Sequence, residues 1–171
     1  MTKIRLADPA LFRRVLALAL AIAVADQVSK WLVLAKIMNP PRAIELLPVL
    51  NLVMAWNTGV SFSMFRESGP MLLSGIAILV SLGLCLWATR LASPLPAYAI
   101  GLVVGGAAGN VIDRFRMGAV FDFIDFHVGD RHWPAFNLAD SAITVGVALL
   151  LIDGLFKGKD RGKNGSQPEV S

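Results

Sequence analysis

Pro134-Ala135-Phe136-Asn137-Leu138-Ala139-Asp140-Ser141, running on into the apolar stretch from Ala142 to Phe156, decides how this chain is read. On a helix Asn137, Asp140, Ser141 and Thr144 fall at i, i+3, i+4 and i+7, so they line one face of an otherwise greasy rod. A carboxylate inside a membrane-length segment costs about 2.5 to 3.5 kcal/mol even on the lenient insertion scale, so such a group marks function and faces protein or water. Asp140 therefore poses a question: what does it work with?

Around that stretch the composition is equally decisive. The chain has 171 residues, 56% of them apolar and 16% charged, with a mean hydropathy of +0.64. That is one-domain size but wrong for a soluble globule, so the chain reads as a membrane protein. The net charge of +4 does not point to nucleic acid, because the cations lie in short clusters beside apolar runs, as topology signals do. Cys85 is the single cysteine. It excludes an intramolecular disulfide and a cysteine metal site, and its apolar surroundings suggest a small buried thiol.

The expected architecture is one four-helix membrane domain over 1–156, with spans at about 11–34, 71–89, 97–113 and 137–156. Ala23-Val24-Ala25 imitates a signal-peptide cleavage site, but the apolar pattern resumes after Asp26, so a retained first span is expected. Within it Asp26, Ser29 and Lys30 share a face, the acid four residues before the base. The loop at about 36–69 predicts two strands, Val49 to Trp56 and Val60 to Phe65, around the turn signal Asn57-Thr58-Gly59, where Asn57 serves the turn or a site. Gly101, Gly105 and Gly109 recur with the spacing that lets membrane helices approach closely. Gly106, Asn110 and Asp113 make a neighbouring stripe; the glycines read as packing, whereas Asn110, Asp113 and Arg114 are harder to explain by packing. The loop at about 114–136 predicts a strand from Ala119 to Val128 with Asp122 among apolar neighbours and Asp125 and His127 on the other face. The remainder, 157–171, reads as a disordered tail without function.

With both termini assigned to the cytoplasm, nine cations lie inside and six outside, the sense that the positive-inside rule favours. Asp26 and Lys30, Asn110 and Asp113, and Asn137 and Asp140 then converge on one layer at the outer surface, with the two strand-bearing loops. A transporter would place its site near the midplane and often show repeats. Metal catalysis lacks ligands, His127 and His132 being the only histidines. Gly-x-Ser-x-Gly is absent, and Ser29 and Lys30 point about 100° apart on a helix. Paired carboxylates remain: two acids close together share a proton, the charged one activating water while the protonated one polarises the carbonyl.

Five motifs carry a specific resemblance: Asp26-Gln27-Val28-Ser29-Lys30, Asn57-Thr58-Gly59 with Phe62, Gly105-Gly106-Ala107-Ala108-Gly109-Asn110 leading to Asp113-Arg114, Val120-Phe121-Asp122-Phe123-Ile124, and Phe136-Asn137-Leu138-Ala139-Asp140-Ser141. In this order they resemble the lipoprotein signal peptidases, or signal peptidase II, from the first span through the fourth. The resemblance implies a membrane all-α bundle of four transmembrane helices with a small periplasmic β-sheet cradling substrate at the outer surface of the bacterial inner membrane. It implies an aspartic endopeptidase that removes the signal peptide of prolipoproteins before a diacylglyceryl-modified cysteine and is blocked by globomycin. By motif position the catalytic pair is Asp122 and Asp140. Asn57, Asn110, Arg114 and Asn137, with Asp26, Lys30, Gly106 and Asp113, match positions that hold substrate or brace the site. The expected partners are lipid-modified prolipoproteins and membrane lipid. No metal, cofactor or nucleic acid is expected, and the chain is expected to act as a monomer.

Overall fold

The computed structural model describes residues 6–59 and 69–164. The expected strand Val60 to Phe65 and the tail from 165 onward lie outside the described residues. Four helices are long and apolar enough to cross a membrane: α1 (Pro9–Leu32), α2 (Gly69–Ala88), α3 (Pro94–Met117) and α4 (Leu138–Asn164). Asp8 starts α1 by accepting from the Ala10 and Leu11 N–H groups at 2.9 Å each, with Pro9 in the first turn, where its missing donor costs nothing. The helix passes at its far end into a π-helical turn, Val33–Ile37.

Helix α3 extends beyond the expected 97–113 at both ends. Pro94 and Pro96 are accommodated in its first turn. At the other end the chain stops at Gly118, whose φ of 71° suits a residue without a side chain, its N–H closing on the Arg114 carbonyl at 3.0 Å. Arg114, expected to open the following loop, and Arg116 therefore sit in the last helical turn, where cations complement the helix dipole. Helix α4 also continues through 157–164, where a disordered tail was expected. No proline interrupts the sequence there until Pro168, so nothing forces the backbone out of the helix at 156.

The four strands β1 (Ile44–Leu47), β2 (Leu50–Asn57), β3 (Val120–Val128) and β4 (Arg131–His132) form an antiparallel sheet in the order β1-β2-β3-β4. β2 and β3 match two of the three expected strands, Val49 to Trp56 and Ala119 to Val128, within a residue. β1 and β4 are too short, and too close to prolines or charges, to leave a pattern.

α3 is the central post. More than half of its membrane window is buried, 56%, against 11% for α2, and it packs against each of the other three helices. At one end Leu11, Val15, Ala88, Ala97 and Ile100 make an apolar cluster. At the other, Phe121 and Phe123 on β3 pack with Val33 and Met38 beneath the sheet. Exposed leucines such as Leu20, Leu79, Leu151 and Leu155 cover the outside of the bundle, as a lipid-facing surface requires. Cys85 is a free, half-buried thiol.

Candidate active site

The site begins at the first turn of α4. The Asn137 Oδ1 accepts from the Asp140 N–H at 2.9 Å, and an Asp140 carboxylate oxygen accepts from the Asn137 N–H at 3.2 Å. This reciprocal arrangement is a capping box. It satisfies two of the donors that every helix start leaves open and fixes the Asp140 side chain against its own backbone. Of the polar stripe expected on this face, Ser141 and Thr144 turn inward on the helix, their hydroxyls donating to the Asn137 and Asp140 carbonyls at 3.0 and 2.8 Å. Only Asn137 and Asp140 reach other elements.

Strand β3 brings the second acid. The Phe136 N–H donates to the Ile124 carbonyl at 3.0 Å, and the Ile124 N–H to the Phe136 carbonyl at 2.9 Å, so the strand is pinned to the segment entering α4. Asp122 thereby meets the cap residue: the Asn137 Nδ2 donates to its Oδ1 at 2.6 Å. The Asn57 Nδ2, from β2, donates to its Oδ2 at 3.1 Å. Asn57 also serves the turn, its Oδ1 accepting from the Gly59 N–H at 2.8 Å. Asp122 was expected among apolar neighbours; instead Phe121 and Phe123 supply the apolar core face and Asp122 looks into the polar cluster.

From α3, the Asn110 Nδ2 donates to the Asp140 Oδ1 at 2.8 Å, while its own Oδ1 accepts from Lys30 at 3.2 Å. Arg114 places its charge in the field of Asp140 and Asp122, and its Nε is buried without a partner. Gly106 makes the crossing of α3 and α4 possible, since a side chain there would run into the Ala139 carbonyl and Ile143. Beneath lies an ion triad: Lys30 is 2.7 Å from Asp26 and 2.7 Å from Asp113.

Burial pushes the Asp122 carboxyl up from 3.8 to about 6, Asp140's negative charge adding to the rise against the opposing hydrogen bonds of Asn57 and Asn137. Two clefts open on the acids. One, of 510 Å³, is lined by Trp56, Asn57, Gly59, Asp122 and Pro134. The other, of 560 Å³, runs past Asn57, Trp133, Phe136, Asp140 and Thr144. They share Asn57, Pro134 and Ala135, with Asp122 lining the first and Asp140 the second.

All ten residues singled out in the sequence fall in or under this cluster, but not in one role. Asp122, Asp140 and Asn57 line the clefts. Asn110 and Asn137 join the acids to the helices. Asp26, Lys30 and Asp113 are almost wholly buried, 0%, 2% and 1% exposed, and line neither cleft. Gln27 was passed over as a site residue; its Nε2 donates to Asp113 at 2.7 Å and to the Gly109 carbonyl at 3.2 Å. The signal available was an amide beside Asp26 in an apolar run.

Comparison with known proteins agrees with this layout. A family model described as Signal peptidase (SPase) II matches residues 18–156. A lipoprotein signal peptidase of Methylorubrum extorquens (strain PA1) is 40% identical over 93% of this chain and 98% of its own. That of Caulobacter vibrioides (strain ATCC 19089 / CIP 103742 / CB 15) is 44% identical over 85% and 88%. A solved bacterial membrane enzyme structure, obtained by the in meso method at 2.3 Å resolution, superposes with a TM-score of 0.74 at 30% identity over 92% of this chain and 94% of that one.

Proposed function

The chain belongs to the signal peptidase II family and is a membrane protease that cleaves the signal peptide from bacterial lipoproteins; on that premise we propose that Asp122 and Asp140 are its catalytic pair. One observation carries the assignment. Asn137 holds both acids at once, donating to Asp122 through its side chain and closing the capping box with Asp140. Asn110 holds Asp140 from α3, so neither carboxylate can swing away.

Burial raises Asp122, so the proposed reaction has this acid hold the shared proton. Substrate filling the clefts expels water and pushes that carboxyl higher still. Protonated Asp122 polarises the scissile carbonyl, and ionised Asp140 takes a proton from the attacking water. Arg114 offers an unsatisfied donor in the same field for a substrate carbonyl. Asn57, at the junction of the clefts, aligns the peptide.

The substrate is a prolipoprotein whose signal peptide is cut just before a diacylglyceryl-modified cysteine. A lipid-anchored cysteine keeps its peptide bond at the bilayer surface, level with a polar layer at helix ends that is flanked by Trp56 and Trp133, residues suited to a membrane interface. The excess of cations on the opposite loop and the termini supports an inner-membrane protein with cytoplasmic termini and the acids at the periplasmic face. A single chain supplies every residue assigned to the reaction, in one four-helix domain over 1–156, so a monomer would suffice for it.

The experiment is a gel-shift cleavage assay on a purified lipidated prolipoprotein. Asp122→Asn and Asp140→Asn should each lower the rate by at least about 10³-fold, because an amide neither takes nor gives the proton, while globomycin binding reports a folded site. Most of the wild-type rate in either variant would refute the pair.

A further inference from the structure

The buried triad sets two carboxyl groups, Asp26 and Asp113, against a single amine, Lys30. Ions out of water demand hydrogen bonds as well as partners. Here the extra donors are neutral. Gln27 donates to the Asp113 Oδ1 at 2.7 Å, the Ala139 N–H to the Asp26 Oδ1 at 3.0 Å, and the Phe121 N–H to the Asp113 Oδ2 at 3.2 Å.

The two backbone donors share one property. Ala139 immediately precedes Asp140, and Phe121 immediately precedes Asp122. Both are groups that secondary structure leaves open. Ala139 lies in the first turn of α4, whose N–H groups have no intrahelical acceptor. Phe121 lies at the start of β3, ahead of the Phe123 and Ile124 donors that meet Phe136. An ion pair that served only to bring α1 into the membrane would be complete with Asp26 and Lys30. A third, buried carboxylate adds cost unless its hydrogen bonds are needed.

We propose that the Asp26–Lys30–Asp113 triad sets the spacing of the catalytic carboxylates: Asp26 grips the backbone before Asp140, Asp113 grips the backbone before Asp122, and Lys30 ties the two grips together. Gln27 keeps Asp113 aimed. These four are positioning residues, and the inference rests on the assignment of Asp122 and Asp140 as the pair.

The test deletes the N–H groups alone. Lactic acid in place of Ala139, and phenyllactic acid in place of Phe121, convert each amide to an ester and leave every side chain present. An ester at Thr89, whose N–H makes an ordinary helical bond to the Cys85 carbonyl at 3.2 Å beside the apolar cluster at the other end of the bundle, is the control. kcat, KM and melting temperature are measured with a lipidated prolipoprotein. Esters at 139 and 121 should lower kcat about 100-fold, the penalty for misplacing catalytic groups by roughly 1 Å. KM should move less than about threefold, since the loss falls on the transition state. The Thr89 ester should keep its kcat. Wild-type kcat at 139 and 121, a change confined to KM, or equal kcat losses in all three esters tracking their melting temperatures would each overturn the proposal. If the ester proteins do not fold, Gln27→Met decides: a kcat about tenfold lower at unchanged KM supports the spacing role, and a wild-type kcat overturns it. Asp122→Asn and Asp140→Asn run alongside. Inactive Asn variants with fully active esters sink the spacing role only, whereas active Asn variants sink the catalytic assignment itself.

Discussion

Along α3 the same four-residue glycine spacing meets α1 in two different ways. At Gly101 and Gly105 the neighbour is backbone: a Cβ would lie 3.1 Å from the Val15 carbonyl and 2.6 Å from the Ala19 carbonyl. At Gly109 it is a carboxylate, with Asp26 Oδ2 only 2.5 Å from where a Cβ would be. The lower crossing is held by contact alone, as helices in lipid must be when no hydrophobic drive brings them together. The upper crossing gives up that economy for buried ions, which contribute little net stability even when well paired. One half of the helix pair holds the bundle; the other carries the ions proposed to aim the two acids.

Predictions follow that contrast. The largest effect should come from the upper end: Asp26→Leu with Lys30→Met, a swap of similar volume, should give a well-expressed protein that cleaves about 100-fold more slowly, since small misplacements of reacting groups are this costly. Wild-type cleavage would return the pair to a mere insertion aid. Gly109→Ala should come next, reducing kcat about tenfold by displacing Asp26, with a smaller change in melting temperature. Gly105→Ala should do the reverse. Overpacking against Ala19 should cost about 1 to 3 kcal/mol of stability, read by thermal denaturation in detergent, while the folded fraction keeps its kcat.

That division was only half legible in the sequence. Apolar runs of membrane length announced all four helices, and the glycine spacing announced close crossings. Helix ends were less visible, because Pro94 starts a helix as readily as it stops one and only Gly118 marks the true end of α3. Asp140 stood out by helical period, and Asn137 was aligned with it, though the capping box that joins them is a matter of geometry. Asp26 and Lys30 could be paired because they lie four apart. Asp113 could not be joined to them by any period, since 83 residues separate it from Lys30 and such contacts exist only in the fold. The strand pattern of β3 put Asp122 and Asp125 on opposite faces, but only motif resemblance pointed to Asp122 as catalytic. Asp125 proves to be bonded to Asn51 and His132, away from the clefts.

The two strand acids sharpen the comparison through pH. The folded pKa of Asp122 is raised from 3.8 to about 6, so between those values the folded protein holds a proton that the unfolded chain has released. Stability from this group therefore rises as pH falls through that window. The melting temperature of Asp122→Asn should show a weaker rise on acidification from about pH 6 to 4 than wild type does. Asp125, its carboxyl held below the usual range first by the His132 hydrogen bond, contributes in the opposite sense. The smallest effect should be His132→Gln: an exposed partner worth about 0 to 1 kcal/mol, with cleavage changed less than about twofold. A large loss of cleavage would extend the site along β3 beyond Asp122.

The central claim is that Asp122 and Asp140 act as one unit around a shared proton. The direct measurement is a double-mutant cycle in kcat/KM on a lipidated prolipoprotein, with wild type, Asp122→Asn, Asp140→Asn and the double variant, globomycin binding serving as the control for folding. The account predicts that each single variant loses nearly all activity and that the double variant is scarcely worse than either, because removing one member already disables the pair. Two partial losses that multiply in the double variant would show two independent groups and contradict it.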